Sequence, residues 1–255
     1  MKTYANLSYM MIRGWFSRYS EIISEFGFSK RQDQEAAYML NSIIKNPTSI
    51  KKIQNILKGK TVFVIGSGPS LGSSISMLKK YKKNPKIVAD SALKILVQNK
   101  IFPDIVVTDL DGDETSLKKV GSTKSVMIVH AHGDNIARLH LAENFKNCIG
   151  TTQGKILGNL FNFGGFTDGD RAVFLANAFA AKKIILFGMD LENKIGKFSK
   201  TKILDKKIKR KKLHKAKMLL QWLSTKSKCE LFTTSKPIPG FKKIQYKDLK
   251  DIIIT

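Results

Sequence analysis

The sequence predicts an α/β fold: a Rossmann-like, mostly parallel sheet with helices on both faces, preceded by an N-terminal helical segment. Two observations favour this fold. From residue 61 onward, short β-branched runs alternate with helical stretches, which is typical of parallel strands joined by crossover helices. Residues 1–58, in contrast, show helical patterning without β-rich runs. The chain of 255 residues, 42% of them apolar, is large enough to bury the core of one such domain.

The elements follow from the pattern in chain order. Apolar residues recur at three-to-four spacing between residues 34 and 57, so we assign 1–58 to a helical segment. Residues 59–255 are then an α/β catalytic domain that includes a lysine-rich C-terminal helix. The predicted strands are residues 61–65, 86–89, 105–108, 125–129, 148–152, 183–187 and, with a weaker signal, 230–233.

The chain is strongly basic, with 45 Lys and Arg against 20 Asp and Glu and a formal net charge of +25. Such a charge favours polyanionic or phosphorylated ligands. Only six of the basic residues are Arg, the side chain on which proteins that read bases rely, so nucleic acid is not the expected partner. Half of residues 194–217 are basic, and the apolar residues interspersed among the lysines of residues 206–223 predict a surface helix with one apolar side. Those apolar residues are Ile208, Leu213, Leu219 and Trp222.

The sequence also bears on the environment of the protein. Cys148 and Cys229 lie far apart without metal-binding spacing, so neither a disulfide framework nor a structural zinc site is indicated. Arg13 and Arg18 interrupt the N-terminal stretch, and there is no run of about 18 apolar residues. We expect a soluble, cytoplasmic protein with no membrane partner. The oligomeric state stays open, a homo-oligomer included.

A glycine-rich sequence, GSGPSLG, follows the first predicted strand at residues 66–72. Its glycines allow a tight turn and the close approach of a phosphate, and Pro69 suits the first position of a helix whose free N–H groups attract anions. Asp90, at the end of the second strand, stands about where a ribose-binding acid lies in a dinucleotide fold. Gly72 comes one position late for GxGxxG, so an ordinary glycine turn is the alternative.

An acidic loop, TDLDGDE, follows the third strand, and five of the 20 acidic residues fall within residues 104–114. Asp109, Asp111 and Asp113 alternate along the chain, so in extended backbone they project to one side and their repulsion calls for a cation. Hard oxygen ligands suit Mg²⁺, which takes one or two carboxylates together with substrate phosphates. The alternative is a solvated acidic turn that caps a helix.

The fourth strand ends in HAHGDN, which supplies four polar side chains at the same edge of the sheet. The two histidines are predicted to hydrogen-bond substrate or to orient the acidic loop, and the start of a metal-hydrolase site is the alternative. The four residues are His130, His132, Asp134 and Asn135.

A second helix start follows the fifth strand in NFGGFTDGDRA. Thr167 or Asp168 is the predicted N-cap of an apolar helix over residues 169–181. Asp170 could simply complement the helix dipole. Arg171 lies at the positive end of the same helix, so we expect it to contact an anion, either a neighbouring acid or a phosphate.

Four sequence blocks taken together resemble a known family, the archaeal-type 6-hydroxymethyl-7,8-dihydropterin pyrophosphokinases. The blocks are GSGPSL, ADSALKILVQNKIFPDIVVTDLDGD, HAHGDN, and NFGGFTDGDRA followed by IILFGMD, and they span roughly residues 60–200. Their order is also similar to that in thiamine pyrophosphokinase, although Ser91 stands where we expect glycine or a similar small residue. The resemblance implies Mg²⁺-dependent transfer of diphosphate from ATP to the hydroxymethyl group of the pterin, with AMP as the second product, in pterin coenzyme or folate-type biosynthesis.

The resemblance implies roles for the strand-end residues. Asp109, Asp111 and Asp113 would hold Mg²⁺ on the ATP phosphates, and His132 or Asp134 would orient or deprotonate the attacking alcohol. The catalytic set is Asp109, Asp111, His132, Asp134 and Arg171. The residues expected to bind ATP and the pterin are Gly66, Ser67, Gly68, Pro69, Ser70, Asp90, Ser91, His130, Asn135, Thr152, Gln153, Thr167, Asp168, Asp170 and Lys197.

Two other classes of function stay open at this point. One is a different enzyme on the same sheet, either a glycosyltransferase of a sialyltransferase-like group that shares the GSGPSL region or a dinucleotide-dependent oxidoreductase. The other is a non-catalytic binder of polyanions or nucleic acid. The acidic loop argues against the oxidoreductase and the binder, because neither a dinucleotide site nor a nucleic-acid groove requires three carboxylates there.

Overall fold

The β-branched runs form strands because such side chains pack well on a pleated surface. The computed structural model describes residues 11–191 and 206–254. Within these residues the strands are all parallel and form one sheet, in the order β5-β4-β3-β2-β1-β6-β7-β8. The predicted fold class is confirmed. The strands are β1 (Thr61–Ile65), β2 (Lys86–Ala89), β3 (Ile105–Thr108), β4 (Val126–Ala131), β5 (Cys148–Thr152), β6 (Lys183–Phe187), β7 (Glu230–Thr233) and β8 (Lys242–Lys243).

The helices cover the sheet and precede it. Before β1 the described chain is mainly helical, as predicted for this segment. A further 3-10 segment, Gly133–Asn144, joins β4 to β5. The α-helices are α1 (Trp15–Phe26), α2 (Lys30–Ile43), α3 (Ile50–Leu57), α4 (Leu71–Lys80), α5 (Asp90–Gln98), α6 (Glu114–Gly121), α7 (Asp168–Ala178), α8 (Lys206–Ser224) and α9 (Leu249–Ile254).

The core has two layers because successive strand residues point to opposite faces of the sheet. Val62 and Val64 of β1 belong to one layer, together with apolar residues of α1, α3, α7 and α8. Phe63 and Ile65 belong to the other, together with residues of α2, α4, α5 and α6. The helices before β1 therefore contribute to both layers, α1 to one and α2 to the other.

The structure corrects several predicted boundaries. Strand β4 extends to Ala131 because its last residues pair with Thr151 and Thr152 of β5. Pro69 lies in the turn before α4, which begins at Leu71 rather than at the proline. The predicted helix after residue 168 ends at Ala178. Strand β8 consists of two lysines and had no apolar signal from which it could be predicted.

The lysine-rich helix also differs from its prediction. Leu219 of α8 is buried, as expected for its apolar side, but Ile208 is half exposed. Helix α8 packs along α7, and its buried residues include Lys215, Ala216 and Leu220. Lys197 lies outside the described residues. None of the helices in the described part is long and apolar enough to cross a membrane.

The chain path creates a crevice at the carboxyl edge of the sheet. Strands β1 to β5 are added outward on one side of β1, and the chain then returns to place β6 on its other side. In open α/β sheets, ligands bind at the point where the strand order reverses in this way. The two strand ends approach closely there, since a Cβ on Gly66 would lie only 2.8 Å from the carbonyl oxygen of Gly188.

Trp15 anchors the N-terminal segment to this edge. Its ring is fully buried and packs edge-on against Phe174, and its indole N–H donates to the carbonyl of Gln153 at 2.9 Å. We expect Trp15→Phe to lower the free energy of unfolding by about 2 kcal/mol, because packing volume and a buried hydrogen bond are lost. Urea denaturation measures this change. Phe16→Ala is the control, and because Phe16 is 47% exposed its effect should stay within about 0.5 kcal/mol. Equal effects of the two changes would contradict the anchoring role.

Candidate active site

Two adjoining cavities open at the carboxyl edge of the sheet. The larger, of about 640 Å³, lies against the glycine loop after β1, the starts of α5 and α7, and α8. The smaller, of about 120 Å³, lies between the α1–α2 loop, α2 and the ends of β4 and β5. The residues that line both cavities are Phe28, Asp109, Asp134, Phe166 and Lys212.

A cluster of three carboxylates lines the larger cavity. Asp90 at the start of α5, Asp109 after β3 and Asp168 at the start of α7 each place a carboxylate oxygen within 4.8 Å of the others. The Oδ1 atom of Asp90 is buried and has no hydrogen-bond partner in the described part of the chain. Three hard oxygen donors with one unsatisfied atom fit a Mg²⁺ site. Sequence reasoning had expected Asp90 to contact a ribose or the pterin rather than to join this cluster.

A tight turn after β3 brings these groups together. The Oδ2 atom of Asp90 accepts hydrogen bonds from the Thr108 hydroxyl at 2.7 Å and from the Gly112 N–H at 3.1 Å. Leu110 has a φ of +69° and a fully buried side chain, so core packing holds the turn in an unfavourable backbone conformation. A Cβ on Gly112 would lie 3.0 Å from the carboxylate of Asp90, so the close approach depends on glycine.

The electrostatics of the cluster reflect crowding of like charge. Burial, followed by the charges of Asp109 and Asp111, raises the pKa of Asp90 to about 8. Burial and the charges of Asp109 and Asp90 also raise the pKa of Asp168, although Arg171 partly offsets the shift. Burial opposes ionisation of Asp109 too, but His132 and the charge of Arg171 outweigh it and keep the pKa of Asp109 low. A divalent cation would relieve this repulsion.

The HAHGDN residues brace the cluster. The His132 Nδ1 atom accepts from the Asp134 N–H at 3.3 Å, so Nε2 carries the proton and lies 3.4 Å from the Asp109 carboxylate. The Asn135 amide donates to the backbone carbonyls of Asp109 at 2.8 Å and His130 at 2.7 Å. Asn135 therefore ties the end of β3 to the end of β4, and the expectation that the histidine motif orients the acidic loop fits this geometry.

The structure separates Asp113 from the other aspartates. Its carboxylate is the N-cap of α6, accepting from the Ser116 N–H at 3.1 Å and from the Ser116 hydroxyl at 2.7 Å. It also pairs with Lys94 at 3.1 Å. Because the backbone turns sharply after Asp109, alternate residues do not project to one side as an extended strand would require. Asp111 lines the larger cavity, and its desolvation and the charge of Asp109 raise its pKa to about 6.

Several N–H and O–H groups of the glycine loop donate hydrogen bonds to other parts of the chain rather than being free for a ligand. The Gly68 N–H donates to the Gly188 carbonyl at 2.7 Å, and the N–H and hydroxyl of Ser70 both donate to the carboxylate of Asp190. Asp190, which sequence reasoning did not single out, is thus the anion at the start of α4. Ser67 and Ser91 share a hydrogen bond of 2.9 Å between their hydroxyls, and both line the larger cavity with Gly66 and Gly68.

Arg171 contacts the anion expected for it. Its guanidinium lies 3.4 Å from the Asp168 carboxylate and 3.4 Å from the Gln153 side-chain oxygen. Thr167 is the N-cap of α7, as predicted, and it lines the larger cavity. Asp170 is buried and accepts from the N–H and hydroxyl of Thr167, so its carboxylate is committed to capping the helix.

His130 and Thr152 lie apart from both main cavities. Together with Arg171 they line a separate void of about 10 Å³, beneath the smaller cavity. The Thr151 hydroxyl donates to the Val129 carbonyl, so His130 Nδ1 must be the donor to Thr151 Oγ1 at 3.1 Å. Burial and the charge of Arg171 hold the pKa of His130 well below its usual range, which makes it a neutral ring.

Two groups of cavity residues come from parts of the chain that sequence reasoning left without a role. Lys209, Lys211 and Lys212 of α8 line the larger cavity, and the Lys212 Nζ lies 5.4 Å from the ring centre of Phe28. Asp33 of α2 lines the smaller cavity. No motif marks these residues, because their place depends on how α2 and α8 pack against the strand ends.

Comparisons with known proteins add an independent line of evidence. Residues 36–196 match the family described as "6-hydroxymethylpterin diphosphokinase MptE-like". Three relatives carry the name 6-hydroxymethyl-7,8-dihydropterin pyrophosphokinase. That of Methanocaldococcus jannaschii is 42% identical over 87% of this chain and 99% of its own length. That of Pyrococcus furiosus is 41% identical over 87% of this chain and 97% of its own length. That of Methanothermobacter thermautotrophicus is 36% identical over 84% of this chain and 95% of its own length.

A solved structure shares the fold. The MAf glycosyltransferase from Magnetospirillum magneticum AMB-1 superposes with a TM-score of 0.62 at 14% sequence identity. The match covers 89% of this chain and 41% of that one. At this identity the likeness supports the Rossmann-like architecture and carries no information about activity.

The carboxylate geometry predicts which aspartates bind a divalent cation. We expect Asp109→Asn to weaken Mn²⁺ binding, used as a probe for Mg²⁺, by about tenfold or more because it removes a charged oxygen from the cluster. Mn²⁺ titration followed by electron paramagnetic resonance measures the affinity. Asp113→Ala is the matched control: it should leave Mn²⁺ affinity unchanged and lower the free energy of unfolding by about 1 kcal/mol through loss of the N-cap. A large loss of Mn²⁺ affinity in Asp113→Ala would contradict the assignment.

Proposed function

Because the chain belongs to the 6-hydroxymethylpterin diphosphokinase MptE-like family, we propose that it transfers diphosphate from ATP to the hydroxymethyl group of 6-hydroxymethyl-7,8-dihydropterin. The products are AMP and the pterin diphosphate. The observation that carries this proposal is the carboxylate cluster, which lines the larger cavity and of which Asp109 also lines the smaller one. Such an arrangement suits a reaction that joins two substrates beside one metal site.

The larger cavity suits the nucleotide. Its volume of about 640 Å³ falls within the range of cofactor sites, and it lies at the crevice where the strand order reverses. Asp90, Asp109 and Asp168 would hold Mg²⁺ there, with Asp111 nearby. When bound, the ion would neutralise charge on the ATP phosphates during transfer.

The chemistry requires little of the protein beyond position and charge. The hydroxymethyl oxygen attacks the β-phosphorus of ATP, the bond from that phosphorus to the AMP oxygen breaks, and the alcohol loses its proton. The carboxylate of Asp134 is exposed to both cavities and can accept this proton. His132 is less suited to act as the base, because its Nδ1 accepts from a backbone N–H and its Nε2 faces Asp109.

The lysines of α8 suit the phosphate chain. The larger cavity is lined by three lysines of α8, Lys209, Lys211 and Lys212, as well as by the carboxylates. Phosphate oxygens bound between the two groups would meet the lysine ammonium groups on one side and, on the other, the Mg²⁺ that the carboxylates would hold. Lys209 already interacts with Asp111 beside the cluster. Desolvation and the charge of Asp109 raise the pKa of Asp111, and the charge of Lys209 partly offsets that rise. Two aromatic rings hold Lys212 in place, with its Nζ 5.4 Å from Phe28 and 5.9 Å from Phe166. The basic stretch thereby gains a role in binding ATP.

The activity itself is tested by identifying the nucleotide product. With Mg·ATP and reduced 6-hydroxymethyl-7,8-dihydropterin, we expect one AMP for each pterin diphosphate formed, measured by anion-exchange chromatography. Reactions without pterin, or with thiamine as the acceptor, are the controls and should release no AMP above background. Release of ADP, or no turnover with properly reduced pterin, would overturn the proposal.

The role of α8 is tested by charge removal. We expect Lys209→Gln and Lys211→Gln, at two positions that line only the larger cavity, each to raise KM for ATP by about tenfold, the effect of losing one hydrogen bond to a charged group, with little change in KM for the pterin. Lys207→Gln is the matched control, because Lys207 is exposed on the same helix and lines neither cavity. Steady-state kinetics measure all three variants. An equal effect of the control would show that the net charge of the helix matters rather than these two positions.

A further inference from the structure

We propose that the smaller cavity is the pterin site and that Asp33 of α2 determines specificity by accepting a hydrogen bond from the 2-amino group of the pterin ring. The inference rests on the proposed function and deepens it by dividing the two substrates between the two cavities. It also gives the helical segment before β1 a chemical role, which its sequence pattern does not reveal.

Asp33 is a buried carboxylate in a neutral hydrogen-bonding environment. The residue is only 4% exposed. Its Oδ2 atom accepts from the Tyr19 hydroxyl at 2.7 Å and from the Gln153 amide at 2.8 Å, whereas Oδ1 accepts from the Gly133 N–H at 3.0 Å. In the described part of the chain, no lysine or arginine forms an ion pair with it. Aspartate side chains are almost never buried this far without an ion-pair partner, so Asp33 indicates a use beyond packing.

The carboxylate retains capacity for a ligand. A carboxylate offers about four acceptor sites, and the three donors from the protein leave one on Oδ1. Asp33 lines the smaller cavity, so this site is available to a molecule bound there. The 2-amino group of a pterin is the kind of donor that this remaining carboxylate site can accept.

A second unsatisfied group lines the same cavity. The Nε atom of Arg171 is buried and has no partner in the described part of the chain. The Gln153 side chain links the two groups, because its amide nitrogen donates to Asp33 and its oxygen accepts from Arg171. The cavity thus presents a hydrogen-bond acceptor, Asp33, on one side of the Gln153 amide and a donor, Arg171, on the other side. The pterin edge has the complementary order, N–H donors followed by a carbonyl oxygen.

The shape of the cavity suits a flat heterocycle. Phe28 and Phe166 form part of its wall, with ring centres 6.2 Å apart and planes inclined by 51°, so they offer aromatic surface to a conjugated ring. With a volume of about 120 Å³ against about 640 Å³ for its neighbour, this cavity suits the smaller of the two substrates and is too small for ATP. Asp109 lines this cavity as well as the larger one, so a hydroxymethyl group on the bound ring can reach the metal site.

The experiment compares Asp33→Asn with Tyr19→Phe. Both changes disturb the same hydrogen-bond network, but only the first removes the carboxylate, so Tyr19→Phe controls for a purely structural role of Asp33. Each protein is assayed with Mg·ATP and either the pterin or its analogue without the 2-amino group. The readouts are KM for ATP, KM for the pterin, and the ratio of kcat/KM values for the two acceptors.

We expect Asp33→Asn to raise KM for the pterin by about tenfold or more, to leave KM for ATP within about twofold, and to lose most of the preference for the 2-amino substrate. Tyr19→Phe should keep that preference. Unchanged preference in Asp33→Asn, or the same loss in both variants, would overturn the proposal and leave Asp33 as a structural tether.

A binding measurement keeps the inference testable if Asp33→Asn fails to fold. Calorimetric titration of the wild-type protein with each acceptor, without ATP, should show that the pterin binds about tenfold more tightly than the analogue. Equal affinities would overturn the role of Asp33. Absence of turnover in wild-type protein that still prefers the pterin in this titration would overturn the proposed reaction instead.

Discussion

The repulsion among buried carboxylates at the carboxyl edge of the sheet is the constraint on which the rest of the site depends. Asp90, Asp109 and Asp168 come from three different segments, and burial makes their mutual charge costly. The surrounding residues hold the three carboxylates together despite this repulsion. A turn with a strained Leu110 fixes one side, Asn135 fastens neighbouring strand ends, and an arginine balances part of the charge. A chain so rich in lysine thus brings three acids together where a cation would relieve their repulsion.

The sequence was sufficient to predict the fold class, most strands and the edge at which the site lies. These follow from alternation of strand and helix, and from the rule that parallel strands end at one edge. It offered helix capping as an alternative for the whole acidic loop, but it could not predict that Asp113 alone would cap α6 while Asp90 joined the cluster, because that outcome depends on a left-handed residue within the turn. Strict alternation of side chains applies to extended backbone only. The family resemblance pointed to this loop but could not distribute its aspartates.

The same limit explains why α2 and α8 had no predicted function. Asp33 and Lys212 stand in helices whose sequences read as ordinary amphipathic surfaces, and each reaches the site only through packing of distant elements. Which face of a helix borders the site depends on tertiary packing, whereas the edge of the sheet at which a parallel strand ends is set by the topology. Residues at strand ends can therefore be identified from sequence, and residues that close over them from the sides cannot.

The anchoring of Trp15 to Gln153 has a consequence for how the protein is made. The two residues are 138 positions apart, and Asp33 likewise contacts Gly133 and Gln153 across at least 100 positions. During synthesis α1 and α2 leave the ribosome before Gln153 and before α7, whose Phe174 packs against Trp15, so the surfaces that they cover are completed only later. Their apolar faces must remain unpaired through that interval, when chains are prone to aggregate. Helices α1 and α2 are thus synthesised well before the surfaces against which they pack.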